Sequence, residues 1–439
     1  MLSVVSHPVP EVPACFELPA ILGGTTYCRG EFPAWPVFDE SEERAVLEVL
    51  RSGQWWKNSL GEAVGEVVPE SKVGLFQSQF AHFQNAAFGV ACASGTAALE
   101  LALKAAGVGP GDEVILPPYT FVATATAALQ LDAVPVFCDV EADTLNLSPS
   151  TLEQRITPRT RAVIPVHFAG LPADMERILA IARQHQLIVI EDAAHAHGAT
   201  WKGKAVGALG DAGAFSFQAS KNMTAGEGGA VVTNCRDLAR MCESYVWAGR
   251  EFGRPWYEHH RLGWNYRMTE FQAAILIEQL KRLELQAQLR MKNGLRLAEE
   301  LEEFPGLHPL AVPGWVTRHA FHLFVLRFVE AEFGLDRDRF VRSLRAEGIP
   351  CSSGYAHPLY RNPLFQHRAF ASQRELLTTK SSTSVDECAA RCPNAEQACK
   401  EVVWIEHRVL LGNDSDISAI IRAVKRIYEH RLRIRSELS

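Results

Sequence analysis

Residues 187–198 read Leu-Ile-Val-Ile-Glu-Asp-Ala-Ala-His-Ala-His-Gly, an apolar run that ends in two carboxylates and two histidines. An unbroken apolar run of this length is typical of a β-strand that is buried on both faces. Similar runs lie before and after it, at residues 114–116, 134–137, 162–164, 214–217 and 230–232. Helical segments such as residues 173–185 separate several of these runs. The alternation predicts an α/β fold whose mostly parallel central sheet is covered on both faces.

The regions that flank this pattern predict the domain organisation. The first thirty residues are rich in proline, which indicates an irregular arm. Residues 269–303 are strongly helical in pattern, and a second α/β stretch follows Pro305, with a strand at 322–326 and a helix at 336–347. We therefore expect an N-terminal arm (1–31), a large domain (32–310) and a smaller C-terminal α/β domain (311–439).

Composition and charge exclude several classes of protein. The chain has 439 residues, 44 of them basic and 51 acidic, and this mild net charge of −7 argues against a nucleic-acid partner. No apolar run reaches about 18 residues, so we expect no membrane span. The N-terminus lacks the basic and apolar pattern of a secretory signal, and scattered cysteines favour a reducing cytoplasm. Cys388, Cys392 and Cys399 lie near His407 in sequence, but their spacing fits no common zinc pattern, so no metal site is expected.

Glu191 and Asp192 follow the apolar run at 187–190, and this position indicates a chemical role. Carboxylates at the carboxyl end of a parallel strand point into the crevice where ligands bind. Glu191 or Asp192 could there hold a cationic ring nitrogen. The alternative is a solvated strand end, which the two nearby histidines make less attractive.

A second feature is the helix start at Ser94-Gly95-Thr96-Ala97-Ala98. Ser94 is a favourable N-cap residue, and small residues at a helix start leave backbone N–H groups accessible. Together with the helix dipole, such a start binds phosphate. The same five residues are equally compatible with a capped helix that binds nothing.

Lys221 follows the apolar run at 214–217 and precedes the glycine-rich turn at 226–229. A lysine whose pKa is lowered by burial can form a Schiff base. Most lysines lie on the surface, but the aromatic and small residues that flank Lys221 favour the functional interpretation.

Four motifs in fixed order carry a resemblance to a known family: residues 94–98, 191–198, 216–229 and 263–270. In these motifs the chain resembles the DegT/DnrJ/StrS family of pyridoxal-phosphate aminotransferases, which act on sugars and cyclitols. The resemblance runs from about residue 32 to the C-terminus. It implies the aspartate-aminotransferase fold (fold type I), pyridoxal 5′-phosphate as cofactor and a homodimer with shared active sites.

Within the family the motifs point to two branches. Similarity to the 3-amino-5-hydroxybenzoate synthases is carried by residues 32–36, 53–56, 166–171, 391–394 and 404–412. Similarity to the sugar and inosose aminotransferases is carried by residues 263–270 and 354–360. Residues 63–72 resemble an insertion relative to the usual pattern.

The resemblance also implies roles for individual residues. Lys221 matches the lysine that forms the Schiff base, and Asp192 matches the carboxylate that pairs with the pyridinium nitrogen. His195 matches the residue that hydrogen-bonds the ring hydroxyl. Phe121 matches the aromatic residue that stacks on the cofactor, although a core aromatic would look the same in sequence.

The remaining matches concern the cofactor phosphate. Gly95, Thr96 and Ser216 match phosphate contacts. Asn265 matches a phosphate ligand that the neighbouring subunit donates, with Arg267 as a further candidate. An asparagine at this position could instead cap the helix that follows.

The expected reaction moves an amino group from glutamine or glutamate to a keto sugar or keto cyclitol, with Lys221 transferring the proton. One alternative is a dehydratase and aromatase of the aminohydroxybenzoate type. A deoxysugar dehydratase is a second alternative, but such relatives have histidine in place of Lys221. A third is a cofactor-binding regulatory protein without turnover, against which the complete set of Lys221, Asp192 and His195 argues.

Overall fold

The computed structural model describes residues 18–28, 32–56, 71–366 and 385–437. Its strands are β1 (Phe88–Cys92), β2 (Glu113–Leu116), β3 (Val134–Phe137), β4 (Thr160–Val163), β5 (Ile188–Asp192), β6 (Thr200–Trp201), β7 (Lys204–Ala205), β8 (Ala212–Ser216), β9 (Gly229–Thr233), β10 (Leu307–Pro309), β11 (Val316–Arg318), β12 (Leu323–Phe328), β13 (Cys351–Ser352) and β14 (Val402–Glu406). Its α-helices are α1 (Glu40–Ser52), α2 (Lys72–Phe83), α3 (Gly95–Ala105), α4 (Ala123–Leu129), α5 (Pro149–Leu152), α6 (Met175–Gln184), α7 (Arg236–Val246), α8 (Glu270–Glu302), α9 (Glu330–Phe333), α10 (Arg337–Ala346), α11 (Pro363–Gln366), α12 (Val385–Arg391), α13 (Pro393–Glu401), α14 (Asp414–Glu429) and α15 (Arg431–Glu437).

The central sheet has the strand order β1-β9-β8-β5-β4-β2-β3. Strands β2, β3, β4, β5 and β8 pair in parallel, and β9 is antiparallel to both of its neighbours. The expected mostly parallel sheet is confirmed. The reversed direction of β9 was not predicted, because an apolar run carries no signal of strand direction.

Helices cover both faces of this sheet, as the unbroken apolar strands predict. Neighbouring residues of β2 show it: Val114 packs in a cluster with α3 and α7, whereas Ile115 packs in a separate cluster with α6. Toward the β1 edge, Phe76 and Phe80 of α2 pack with α8 against β8 and β9. The edge strand β3 is only partly buried.

The long helix α8 links the large and small parts of the fold. Thr269 begins it through a capping box with Gln272, and its side-chain oxygen accepts from the Gln272 backbone N–H. The first half of α8 packs near the central sheet, and Leu297 and Leu301 pack in the C-terminal core. The predicted helix at 269–303 is thus confirmed within one residue at each end.

The C-terminal part contains a second, antiparallel sheet of order β10-β12-β14-β13. The chain segment at residues 18–28 packs against α10 of this part, and the backbone N–H of Ala20 donates to Oε1 of Glu347, which follows α10, at 2.9 Å. Strand β10 lies just before residue 311, so it joins the small sheet from the large-domain side of the predicted boundary. The division at 1–31, 32–310 and 311–439 stays a prediction.

Three further expectations concern particular segments. Residues 63–70, most of the segment that resembles an insertion, lie outside the described residues. No described helix is both long and apolar enough to cross a membrane. Among the described residues, no three histidine, cysteine, aspartate or glutamate side chains converge as a metal site would require.

Candidate active site

A cleft of about 1020 Å³ opens where the carboxyl ends of β2, β5 and β8 meet the C-terminal sheet. Ligands bind at this edge in open α/β sheets. The predicted site residues that line the cleft are Gly95, Thr96, Phe121, Asp192, His195, Ser216 and Lys221. Residues that are far apart in sequence therefore meet in one place.

The end of β5 separates its two carboxylates, because successive side chains of a strand point to opposite faces. Asp192 lines the cleft. Glu191 is fully buried and accepts hydrogen bonds from the backbone N–H groups of Gly207, Leu209 and Gly210, each at 2.7 Å. Of the two carboxylates that the sequence offers, only Asp192 is available to a ligand.

Asp192 is buried at the base of the cleft. Its Oδ2 accepts from Thr124 Oγ1 at 2.8 Å, and its Oδ1 accepts from the Ala194 backbone N–H at 3.2 Å. Burial raises the pKa of Asp192 despite these two hydrogen bonds. A buried carboxylate of this kind is stabilised in its charged form by a cationic partner.

Lys221 lies in the loop that follows β8. Its Nζ has no hydrogen-bond or ion-pair partner among the residues that the structure describes. Burial lowers the pKa of Lys221 to about 8, while the nearby Asp192 carboxylate opposes the shift. At neutral pH a larger share of this amine is uncharged than of an ordinary lysine, which favours attack on a carbonyl group.

The start of α3 forms a cradle against the end of β8. Ser94 caps the helix, with its Oγ accepting from the Ala97 backbone N–H at 3.1 Å. A Cβ on Gly95 would lie 2.6 Å from the Cβ of Ser216, so only glycine permits this close approach. The helix start offers backbone N–H groups to the cleft, which Thr96 and Ser216 also line, so this end of the cleft is suited to an anion.

Two ring side chains complete the predicted set. Phe121 is 58 % exposed and lines the cleft, so it is not a core aromatic. His195 is half-buried, its Nδ1 has no hydrogen-bond partner among the described residues, and desolvation lowers its pKa well below the usual range. A flat exposed ring and an unpartnered neutral imidazole are both available to a planar ligand.

Sequence reasoning assigned no role to several cleft residues: Trp35, His322, Tyr355, Trp404 and His407. The rings of His195 and His322 lie 4.2 Å apart, and those of Tyr355 and Trp404 lie 4.7 Å apart. The tryptophans, Tyr355 and His407 fall within stretches that carry the family resemblance, which was the signal available.

Asn265, like the further candidate Arg267, is not among the residues that line the cleft. It is exposed, and its Oδ1 accepts from Arg267 Nε at 2.8 Å. Thr269, not Asn265, caps α8, so the capping interpretation of Asn265 is excluded. The aromatic loop before it is also exposed, with Trp256 63 % and Tyr257 77 % accessible.

The cleft fits pyridoxal phosphate on structural grounds. It combines an anion cradle that a Cβ at Gly95 would fill, a buried carboxylate, an amine without a partner and the unpartnered Nδ1 of His195. A lysine and an aspartate at the carboxyl ends of a mostly parallel sheet, beside a helix start, define the class of pyridoxal-phosphate enzymes with an aminotransferase fold.

Comparisons with known proteins narrow that class. The profile of the DegT/DnrJ/EryC1/StrS aminotransferase family matches residues 36–425. The chain is 37 % identical over 429 residues to the L-glutamine:2-deoxy-scyllo-inosose aminotransferase of Streptoalloteichus tenebrarius, covering 95 % of this chain and 99 % of that protein. It is also 37 % identical over 396 residues to the 3-amino-5-hydroxybenzoate synthase of Amycolatopsis mediterranei, covering 89 % and 95 %.

The solved structures agree. The crystal structure of 3-amino-5-hydroxybenzoic acid synthase superposes with a TM-score of 0.80 at 37 % identity, covering 90 % of this chain and 99 % of that one. The chain belongs to the DegT/DnrJ/EryC1/StrS aminotransferase family. It is a pyridoxal-phosphate-dependent aminotransferase, and the family, fold class and cofactor expected from the sequence are confirmed.

Proposed function

We propose that the enzyme transfers an amino group from glutamine or glutamate to a keto cyclitol or keto sugar, with Lys221 as the catalytic residue. The observation that carries the proposal is the unpartnered Lys221 amine, with a pKa lowered to about 8, in the same cleft as Asp192. Such an amine serves both to bind the cofactor covalently and to move a proton at the substrate carbon.

Bound pyridoxal phosphate supplies an electron sink for the negative charge that develops on the substrate. In our proposal Asp192 pairs with its ring nitrogen, His195 with its hydroxyl, and Phe121 packs on the ring face. Gly95 and Thr96 contribute to phosphate binding.

Ser216, at the other side of the cradle, would contribute its hydroxyl to the same phosphate. We propose that Asn265 adds a phosphate contact from the neighbouring subunit of a homodimer, with Arg267 beside it. Support comes from the exposure of Asn265 and its position outside the cleft of its own chain.

The substrate class rests on the relatives. The inosose aminotransferase of Streptoalloteichus tenebrarius uses L-glutamine and 2-deoxy-scyllo-inosose, by its name. The cleft adds some support, because its cationic side chains are those of Lys221 and Arg408, and Arg408 Nε donates to Glu406 at 2.7 Å. An uncharged ring suits these described walls better than a polyanion does.

The test has two halves. Purified holoenzyme is mixed first with L-glutamine and then with L-glutamate, and the absorption of the bound cofactor is followed. We expect one donor to convert the cofactor to its amino form. A keto cyclitol or a keto sugar is then added, and the aminated product is identified by mass. Failure of every donor to change the spectrum would overturn the proposal.

The likeness to 3-amino-5-hydroxybenzoate synthase supports a second candidate, a dehydratase and aromatase that uses the same lysine. An aminated shikimate-type compound distinguishes the two, because only the dehydratase produces an aromatic ring from it. Formation of an aromatic product without amino transfer would favour this candidate.

The location of the enzyme is also inferred. All cysteines within the described residues are free thiols, and most of them are buried. Unpaired thiols are typical of a reducing compartment, so we propose the cytoplasm.

A further inference from the structure

The loop that carries Lys221 is held from outside by two side chains from distant parts of the chain. Trp35 Nε1–H donates to the carbonyl oxygen of Ala219 at 2.9 Å. His407 Nε2 lies 3.1 Å from the carbonyl oxygen of Ser220. A carbonyl oxygen only accepts, so His407 carries its proton on Nε2 and donates it. These are the two peptide carbonyls that immediately precede Lys221.

Little else fixes these two carbonyl groups. Within the loop, the Lys221 backbone N–H donates to the Gln218 carbonyl at 2.9 Å. Among the residues that the structure describes, no donor other than Trp35 and His407 reaches the carbonyl oxygens of Ala219 and Ser220. The direction in which the Lys221 side chain leaves the backbone therefore depends on these two contacts.

The two donors also contact each other. The rings of Trp35 and His407 meet edge to face, with centroids 4.5 Å apart at 86°. Trp35 lies between the N-terminal segment and α1, whereas His407 follows β14 of the small sheet. Both side chains line the cleft, so a bound substrate can touch the same two residues that hold the Lys221 loop.

Arg290 of α8 lies behind Trp35, with its guanidinium carbon 5.2 Å from the indole centroid. Its side chain is fully buried, and none of its three guanidinium nitrogens has a hydrogen-bond partner among the described residues. Burying a cation without a carboxylate partner destabilises the fold. Among the described residues, the contact with the Trp35 indole face is the main interaction that offsets this cost for Arg290. The interaction also restrains the plane of Trp35.

We propose that Trp35 and His407 are positioning residues, which orient Lys221 toward the cofactor by holding the Ala219 and Ser220 carbonyl groups, and that Arg290 fixes Trp35 from behind. This inference rests on the proposed role of Lys221. It adds that the stretch before α1 and the residues after β14 control the geometry of the catalytic amine, which a substrate in the cleft could therefore influence.

The decisive variant is Trp35→Phe, which keeps an aromatic ring over Arg290 but removes the N–H donor. The matched control is Trp201→Phe, because Trp201 Nε1 has no hydrogen-bond partner among the described residues. Both are compared with wild-type holoenzyme at equal cofactor content. Three quantities are measured: kcat, KM for the amino donor, and the pH midpoint at which the absorption of the bound cofactor changes.

We expect Trp35→Phe to lower kcat about tenfold or more, because a misplaced reacting group loses near-attack geometry. The absorption midpoint should move by about half a pH unit or more, since the environment of the lysine nitrogen changes. KM should stay nearly constant, and Trp201→Phe should match the wild type in all three measurements. Unchanged kcat and midpoint in Trp35→Phe would overturn the inference, and so would a change in KM alone.

His407 and Arg290 provide the second arm. His407→Gln retains an N–H donor and should recover much of the activity that His407→Leu loses, whereas equal loss in both would overturn the role of His407. Arg290→Met should shift the absorption midpoint in the same direction as Trp35→Phe, and an unchanged midpoint would overturn the role of Arg290. If wild-type enzyme transfers no amino group, the proposed function fails, but the midpoint of the bound cofactor still tests the positioning.

Discussion

The last two residues of β5, Glu191 and Asp192, differ in how many hydrogen bonds their carboxylates accept from the surrounding protein. Glu191 accepts three backbone N–H groups and a fourth hydrogen bond from His167 Nε2 at 2.9 Å. The Asp192 carboxylate accepts only two hydrogen bonds from the described residues, and it shares its cleft with Lys221 and His195, each of which has a nitrogen without a described hydrogen-bond partner. Both carboxylates are buried, so burial does not distinguish them.

This contrast shows what marks a ligand site in a buried region. A charge whose hydrogen bonds are complete holds the fold together, and the Glu191 carboxylate connects β5 to the turn at 207–210. Neighbouring buried polar groups that lack hydrogen-bond partners destabilise the fold when no ligand is bound. They become favourable when a ligand supplies the missing partners. The predictions that follow test whether Glu191 contributes mainly to stability and Asp192 mainly to activity.

The largest effect is expected at Lys221. Lys221→Ala removes the amine that binds the cofactor covalently, so borohydride should trap no covalent cofactor adduct and amino transfer should fall below detection. The variant should fold normally, because the Lys221 amine has no partner to lose. A reduced, covalently bound cofactor in this variant would contradict the assignment.

The pH dependence of the cofactor-free protein checks the same residue. The pKa of Lys221 is about 8 in the folded protein and 10.5 as an ordinary lysine, so between these pH values the unfolded chain binds more protons. Lys221 therefore destabilises the fold below about pH 8, and this cost decreases as the pH rises across the window, by at most about 1.4 kcal/mol per pH unit. Urea unfolding at pH 8, 9 and 10 gives the free energy of unfolding of the wild type and of Lys221→Ala. The wild-type value minus the variant value should rise with pH, and a constant difference would contradict the lowered pKa.

At Asp192 the expected effect is on rate. Asp192→Asn removes the charge that pairs with the ring nitrogen, and we expect kcat to fall about a hundredfold or more, which corresponds to a few kcal/mol. Because burial raises the pKa of Asp192, the ionised form is costly in the cofactor-free fold at neutral pH. The stability of the cofactor-free variant should therefore equal or exceed that of the wild type. Turnover near the wild-type rate would remove Asp192 from the mechanism.

Glu191 should behave in the opposite way. Glu191→Gln places an amide NH2 group against two donors and removes a buried charge from its partners, so the free energy of unfolding should fall by about 3 kcal/mol. The partner His167 is held in one tautomer, since its Nδ1 accepts from the Ala173 backbone N–H at 3.1 Å. Denaturant titration gives the stability, and kcat per bound cofactor should change little. A large loss of kcat without a loss of stability would break the distinction between the two carboxylates.

Much of this arrangement was predictable from the sequence, because it depends on local patterns. The apolar run at 134–137 is β3 with the same ends, and Ser94 caps α3 as expected. The alternation of side chains along β5 could also have separated Glu191 from Asp192. No local pattern predicts that His322 and His407 join the cleft, since the packing of the small domain on the large one brings them there.

The smallest expected signal concerns Asn265, and it tests whether the site is completed across a subunit boundary. Asn265 is exposed and outside the cleft of its own chain, unlike the seven residues gathered around β5. We expect Asn265→Ala to weaken cofactor binding through the phosphate. A subunit-mixing experiment distinguishes a contact to the partner's site from a contact within the same chain.

Inactive Lys221→Ala subunits are mixed in equal amounts with Asn265→Ala subunits, and exchange is verified with tagged chains. If Asn265 serves the partner's site, each mixed dimer has one site with both defects and one with neither. Half of the dimers are mixed, so activity should reach about a quarter of the wild-type value plus a quarter of the residual Asn265→Ala activity, which is above the average of the two parents. If Asn265 acts within its own chain, every site keeps one defect and mixing yields only the average of the parents. Activity that never exceeds this average after verified exchange would therefore exclude a site shared between subunits through Asn265.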